Sequence, residues 1–192
     1  NNTKLAHLNC GSNQLTSLDV SNNTELCRLH CTGNQLTSLD VSKNTSLYDL
    51  SCFNNQLTSL DVSNNTELTN LDCRGNHLTK LVVSNNTKLK ELRCASNNIG
   101  YLYLSKNTEL EFLNCSFNKI DQLNLSNNTK LTGLYCDDNR LTNLKLDDNT
   151  ALTNSDIVTV GSQSSTRRLT ANSYGSDTNN RWSPHVGTAG AS

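Results

Sequence analysis

The chain of 192 residues has no methionine, a single proline and only nine aromatic side chains, and its formal net charge is −1. No apolar run approaches the ~18 residues of a membrane-spanning helix, which excludes a helical span. The balanced charge gives no footing for nucleic acid or an anionic membrane surface. Apolar residues make up 34% of the chain, too few for an ordinary compact core to be built easily. Without a methionine at position 1, the chain reads as a processed or trimmed piece of something longer. No GxSxG, HExxH, phosphate-loop or dinucleotide-type glycine pattern occurs, so no enzyme chemistry is expected. Ser116-Phe117-Asn118-Lys119 matches SxxK by letters alone, because that motif works on a helix and this stretch is a repeat turn. His7, His30, His77 and His185 fall in different repeats and columns, as surface histidines do and metal ligands do not. No cofactor is expected.

What the chain has in excess is asparagine, 31 residues of it. Asparagine tolerates left-handed backbone angles and hydrogen-bonds its own neighbourhood, so it marks turns. The turns recur on a fixed period. Cys10, Cys31, Cys52, Cys73, Cys94, Cys115 and Cys136 are each 21 residues apart. Two leucines precede each cysteine at fixed offsets, and Asn13, Asn34, Asn55, Asn76, Asn97, Asn118 and Asn139 each follow by three. A second asparagine column runs Asn2, Asn23, Asn44, Asn65, Asn86, Asn107, Asn128 and Asn149. The unit LxxLxCxxN(x)(L/I)xxLx(V/L)(S/D)xNTx is a leucine-rich repeat. Its two halves, LxxLxCxxN and LxxLDVSxN, share one inward pattern, so each is expected to form a short extended segment closed by an asparagine-fixed turn.

Alternation in an extended segment sends successive side chains to opposite faces. With Leu8 and Cys10 inward, His7, Asn9 and Gly11 face out. One coil cannot bury enough surface to stand alone, so burial is shared with neighbours through stacking. Identical letters recur because each inward residue meets its own copy above and below. Both asparagine columns are expected to satisfy backbone groups of buried turns.

The motif LxCxxNxLTxLDVSxNT resembles the internalin-like bacterial leucine-rich-repeat proteins with 21-residue, cysteine-ladder repeats. The resemblance covers residues 2 to about 152. It implies a right-handed, β-dominated solenoid of seven coils with a concave parallel sheet. It also implies a non-enzymatic protein- or glycan-binding role at a cell surface, as part of a longer secreted protein, extracellular or surface-attached. The partner would be a protein or glycan on another cell or matrix.

Seven ladder cysteines in one column cannot pair off, and in-register Cβ vectors run parallel, so they are expected as buried, reduced thiols. A spacing of 21 supplies no CxxC zinc pair. Cys27 breaks the pattern at an outward position, either a half-exposed thiol or an intermolecular link. Asp137-Asp138-Asn139 and Asp147-Asp148-Asn149 read as solvated turns, with a calcium site the sharper alternative.

Variation among the copies points to the working face. Inward columns barely change, while three outward columns of the cysteine arm change at nearly every step. Within them, Asp49, Phe53, Asp72, Arg74, Glu91, Arg93, Phe112 and Tyr135 form the candidate partner-binding set, mixing charge with aromatic groups of the kind found at binding hot spots. Acidic residues interrupt the arginines, so no phosphate track is present. The plain alternative is drift on an unselected surface. The opposite arm repeats Ser-Leu-Asp-Val through its first three coils and departs from it at Lys80, Val82, Tyr101 and Tyr103, where GYLYLS is a second contact patch or simply a run of good strand formers. Rival functions are a passive spacer and the substrate-recognition part of a larger enzyme or effector.

The pattern fails after Leu152: Ser155 stands where a leucine is due and Ile157 where a cysteine is due. The solenoid is therefore expected over residues 1–160, and an irregular cap or linker, holding Trp182, over 161–192. At the other end, Leu5, Leu8, Leu15, Leu18 and Val20 are expected to leave an uncapped apolar edge open to end-to-end self-association.

Overall fold

The computed structural model describes residues 2–146, 148–152, 158–160 and 167–168. Seven three-residue strands recur every 21 residues: β1 His7–Asn9, β2 Arg28–His30, β3 Asp49–Ser51, β4 Asn70–Asp72, β5 Glu91–Arg93, β6 Phe112–Asn114 and β7 Gly133–Tyr135. Each pairs in parallel with the next, every residue opposite its own copy. The result is a parallel leucine-rich-repeat solenoid with six full turns of 21 residues between the first and seventh strands.

The core is one continuous column set. Leu29, Leu50, Leu71, Leu92, Leu113 and Leu134 stack behind the strands, with Cys31 to Cys136 beside them, all buried. Leu36, Leu57, Leu78, Ile99 and Ile120 enter from the second arm, with Val41, Val62, Val83, Leu104 and Leu125 closing each coil. None of the eight cysteines forms a disulfide.

The first asparagine column cross-links coils. Asn55 Nδ2 donates to the Cys52 carbonyl of its own coil and the Cys31 carbonyl of the preceding one, both at 3.0 Å. Its Oδ1 accepts from Leu36 N, also at 3.0 Å. A single amide thus satisfies the backbone where each strand leaves the sheet. In the second column, Asn65 Nδ2 donates to the Val41 and Asn44 carbonyls at 3.0 and 2.8 Å.

The two arms are not equivalent, contrary to the expectation from their matching sequence pattern. The second arm forms no strand; among the described residues it makes only the bridge Asn124–Lys145. One backbone bond per coil joins it to its neighbour, such as Gln56 N to the Leu36 carbonyl at 2.9 Å. Side chains take the ladder's place, Asn amides holding the Val41 and Val62 carbonyls of the preceding coil, while Asp carboxylates hold the Ser backbone within their own coil.

The turn after each cysteine forces a left-handed residue immediately before the first asparagine column. Ser12, Asn54, Ser96, Phe117 and Asp138 have φ between 49° and 55°, and Gly33 and Gly75 have φ 61°. Glycine occupies this position in only two coils, so the remaining copies hold a conformation that L-residues disfavour.

At the far end, β8 (Val158–Val160) pairs parallel with β7. Val158 lies opposite Leu134, so the register runs three residues beyond the repeat, and Val158 takes the strand position that the period assigned to Ser155. Strand β9 (Arg167–Arg168) then pairs antiparallel with β8. The remainder of the expected 161–192 segment, with Trp182, lies outside the described residues, as do Asp147 and His185.

At the near end, Leu5, Leu8, Cys10, Leu15 and Leu18 are half-buried, whereas the same columns are fully buried further along. Val20 departs from that expectation: it is 1% exposed. The Asn2–Leu5 turn already begins a layer beneath its coil, tied to it by Asn23 Nδ2 on the Asn2 carbonyl at 2.6 Å.

Candidate binding face

The strands turn alternate residues outward, so the candidate residues of the cysteine arm stand on one face of the parallel sheet. All eight are half-buried there, and all but Asp49 are held against another member of the set by charge or ring contacts. The strip begins on β2 and β3. Asp49 accepts from Arg28 Nε at 3.0 Å and lies 3.2 Å from His30 Nε2, and Arg28 also covers the Tyr48 ring at 5.6 Å. On β4, Asp72 and Arg74 form a two-pronged pair, Nε to Oδ1 at 2.9 Å and a terminal nitrogen to Oδ2 at 2.6 Å. The Arg74 guanidinium rests on the Phe53 ring at 5.2 Å. The Asp72 carboxylate raises the Arg74 pKa by hydrogen bonding, so this cation is fixed as well as placed. On β5, Glu91 pairs with Arg93 and accepts from Asn70 Nδ2 at 2.9 Å. Arg93 lies over Phe112 at 4.6 Å, and Phe112 meets Tyr135 at 5.6 Å in a tilted arrangement.

Seven of the eight therefore fall into two contact groups, Phe53–Arg74–Asp72 and Glu91–Arg93–Phe112–Tyr135, while Asp49 pairs with Arg28 and His30. Arg28, His30, Tyr48 and Asn70 complete the strip and were not singled out from sequence. Three of them, Arg28, His30 and Asn70, lie in the same variable columns. Arginines stacked on rings and braced by carboxylates have few conformations left to lose on binding.

Two shallow grooves cross this face. One, about 320 Å³, lies among His30, Asp49, Asn70, Asp72, Glu91 and Arg93. The other, about 480 Å³, runs along the strand exits with Phe53, Arg74, Phe117 and Tyr135 among its walls. Buried Ala95 and Ser116 sit between the bulkier Arg74 and Asp137 in one column, which makes the notch. Ser116 Oγ donates to Asp137 Oδ1 at 2.5 Å across the coil boundary.

Chemistry in the core is suppressed. Burial pushes Cys31 and Cys94 up to about 12, and Cys52, Cys73, Cys115 and Cys136 well above their usual value, with neighbouring thiols adding to it in most. Protonated thiols at neutral pH are neither nucleophiles nor metal ligands. Cys27 has a local reason for its place. Its Sγ donates to the Ala6 carbonyl at 3.2 Å, as Thr69 and Thr132 hydroxyls donate to the Tyr48 and Glu111 carbonyls at the same repeat position. Among the described residues no group of three His, Cys, Asp or Glu side chains is arranged to hold a metal.

On the opposite arm, the repeated aspartate is a turn element. Asp19, Asp40 and Asp61 each accept from the backbone N–H two residues on, at 2.8–2.9 Å, and this bond lowers their pKa. Its constancy over these three coils therefore follows from local hydrogen bonding, and the column changes from Val82 onward.

No known protein-family profile and no curated protein sequence matches the chain. Among solved structures, the functional domain of InlJ from Listeria monocytogenes, which includes a cysteine ladder, is 36% identical over 79% of this chain and 43% of its own length, with a TM-score of 0.48. Internalin InlF of the same organism is 27% identical over 84% of this chain and 56% of its own, with a TM-score of 0.67. Internalin C2, also from L. monocytogenes, is 23% identical over 79% of this chain and 70% of its own, with a TM-score of 0.74, a likeness of fold. The chain thus spans about half the length of the InlJ functional domain and of the InlF structure. With its parallel ladder, 21-residue coil and buried cysteine column, the chain is a leucine-rich-repeat solenoid with a cysteine ladder, and its structural neighbours include internalins.

Proposed function

We propose that the chain is a non-enzymatic binding module of a bacterial surface or secreted protein, recognising a protein or glycan through the exposed face of its parallel sheet. The internalin-like fold supports an interaction module in general. The observation that carries the reading is the braced strip itself. Asp72–Arg74–Phe53 and Glu91–Arg93–Phe112 repeat one device on adjacent coils, a carboxylate fixing an arginine over a ring. Such arrays spend little entropy on association and present the residue types that dominate binding hot spots. The alternation of acidic and basic groups suits a protein or glycan better than a polyanion. The half-buried edge of Leu5, Leu8, Leu15 and Leu18 is a further apolar surface against which another coil layer or a second copy can stack.

The experiment is a glycan array and a surface-protein pull-down with this chain, followed by truncation of Phe53, Arg74 and Phe112 to alanine. A hot-spot truncation is expected to weaken the captured partner by about 2 kcal/mol or more, without unfolding the stack. Changes at Ser17, Ser38 or Ser59 are expected to leave capture intact. A passive spacer would capture nothing in either format, and the reading would then fail.

A further inference from the structure

We propose a second ligand site on the arm opposite the strands, a platform for a neutral glycan built on Tyr101 and Tyr103. These are the most exposed large hydrophobic side chains of the described residues, 62% and 78% accessible, against 48% for Val82 and 41% for Phe117. Their rings are nearly parallel, 6° apart in plane with centroids 6.5 Å apart. They form one side of a groove of about 420 Å³ between coils, a volume typical of small-ligand sites. The far side is Gln122, Asn124, Ser126 and Asn127.

Three observations argue that this groove is more than a chance pair of strand formers. First, Tyr103 occupies the column in which Asp19, Asp40, Asp61 and Asn124 each accept a turn hydrogen bond from the residue two on. Neither Val82 nor Tyr103 can make that bond, so two successive coils give up a turn contact made at Asp61 and again at Asn124, and the second of them exposes an aromatic face in its place. Second, no carboxylate, ammonium or guanidinium lines the groove. Lys80 and Lys145 stand one coil beyond it on either side. The lining therefore complements an uncharged, hydrogen-bonding ligand and offers nothing to an ionic one. Third, the feature is two coils wide, roughly 10 Å at ~4.8 Å per coil. That is short of the ~800 Å² per partner that a stable protein interface buries, and of the size of a few sugar rings.

The chemistry follows from the two walls. A pyranose presents its C–H bonds on one face and its hydroxyls around the edge. The C–H face lies against a tyrosine ring, whose π-electrons attract the weakly positive hydrogens. The equatorial hydroxyls then meet planar amides that can donate and accept at once. Asn124 is pre-oriented for this, since its Oδ1 is held by Ser126 N at 3.0 Å and its Nδ2 is left to donate. Asn127 is fixed by its own bond to the Ser105 carbonyl at 3.2 Å. Stacking rings and positioned amides together select a neutral oligosaccharide.

The test follows ring-labelled tyrosine resonances of the chain by NMR, the five tyrosines being separable by substitution. The probes are cellohexaose, maltohexaose and chitohexaose, with a hyaluronan hexamer as the charged control. The proposal expects at least one neutral hexamer to shift Tyr101 and Tyr103 together. Tyr101→Ala or Tyr103→Ala should then weaken it by roughly tenfold or more. Tyr103→Phe should keep most of the affinity, because the ring and not the hydroxyl does the stacking. Phe53→Ala, on the other face, should not change it, which separates this site from the strand-face reading. Failure of all three neutral hexamers to move either resonance overturns the proposal. So does equal binding of the charged hexamer, or capture of a protein, and of no sugar, that depends on the two tyrosines.

Discussion

At the scale of the residue, the turn before each first-column asparagine sets the sharpest local condition. All seven copies have φ between 49° and 61°, yet only Gly33 and Gly75 avoid a Cβ penalty there. A left-handed L-residue costs about 1–2 kcal/mol, partly offset by the entropy glycine loses on folding. Ser96→Gly, at an exposed copy with φ 55°, is therefore expected to raise stability by roughly 0.5–1 kcal/mol. Gly75→Ala is expected to lower it, because an added Cβ would also collide with the Asn54 side-chain oxygen. Urea denaturation of both variants checks the pair; loss of stability in Ser96→Gly would contradict a backbone penalty at this column. This column was not legible beforehand. Ser, Gly, Asn, Phe and Asp share no side-chain property, and only the backbone shows what they have in common. The aspartates of the second arm show the reverse. Their constancy was plain in the letters, but its cause, a bond to the N–H two residues on, became visible only with geometry.

At the scale of the element, the cysteine column is a row of desolvated thiols. Its buried members hold pKa values raised by desolvation, about 12 for Cys31 and Cys94 against an ordinary 9.0. Above pH 9 the unfolded chain loses thiol protons that the folded chain keeps, so it binds fewer protons and stability falls as pH rises. The loss begins near pH 9, continues towards pH 12, and is worth up to ~1.4 kcal/mol per pH unit for each such cysteine. Urea midpoints measured from pH 8 to 11 should therefore drop steeply. Cys73→Ser should start about 1–3 kcal/mol less stable, from a hydroxyl buried without a good partner, and should fall less steeply with pH. A flat profile to pH 11 would contradict the buried ladder. The inward leucines, cysteines and asparagines could be read from sequence because each meets a copy of itself, so packing and spelling repeat together. The inequality of the arms could not, since LxxLxCxxN and LxxLDVSxN place apolar residues alike. What separates them is whether backbone or side chains hold the next coil. The register of β8 was equally hidden: three extra residues precede it in a segment that no longer repeats.

At the scale of the whole molecule, a constant interior carries changeable surfaces. Stacking fixes each strand, and each strand aims its outward residues to one side, so letters free of packing duties are free to specialise. The strip from Asp49 to Tyr135 was traceable because its columns vary, but its pairing was not. That Arg74 lies on Phe53, one coil back, and Arg93 on Phe112, one coil on, depends on side-chain reach across coils. The most direct measurement of the proposed recognition face is site-specific photo-crosslinking of the partner captured from a surface-protein extract or glycan array. A photoreactive residue placed at Phe112 is expected to trap the partner, and the same residue at Ser38 on the opposite arm to trap none. Trapping from Ser38 with none from Phe112 would contradict the account.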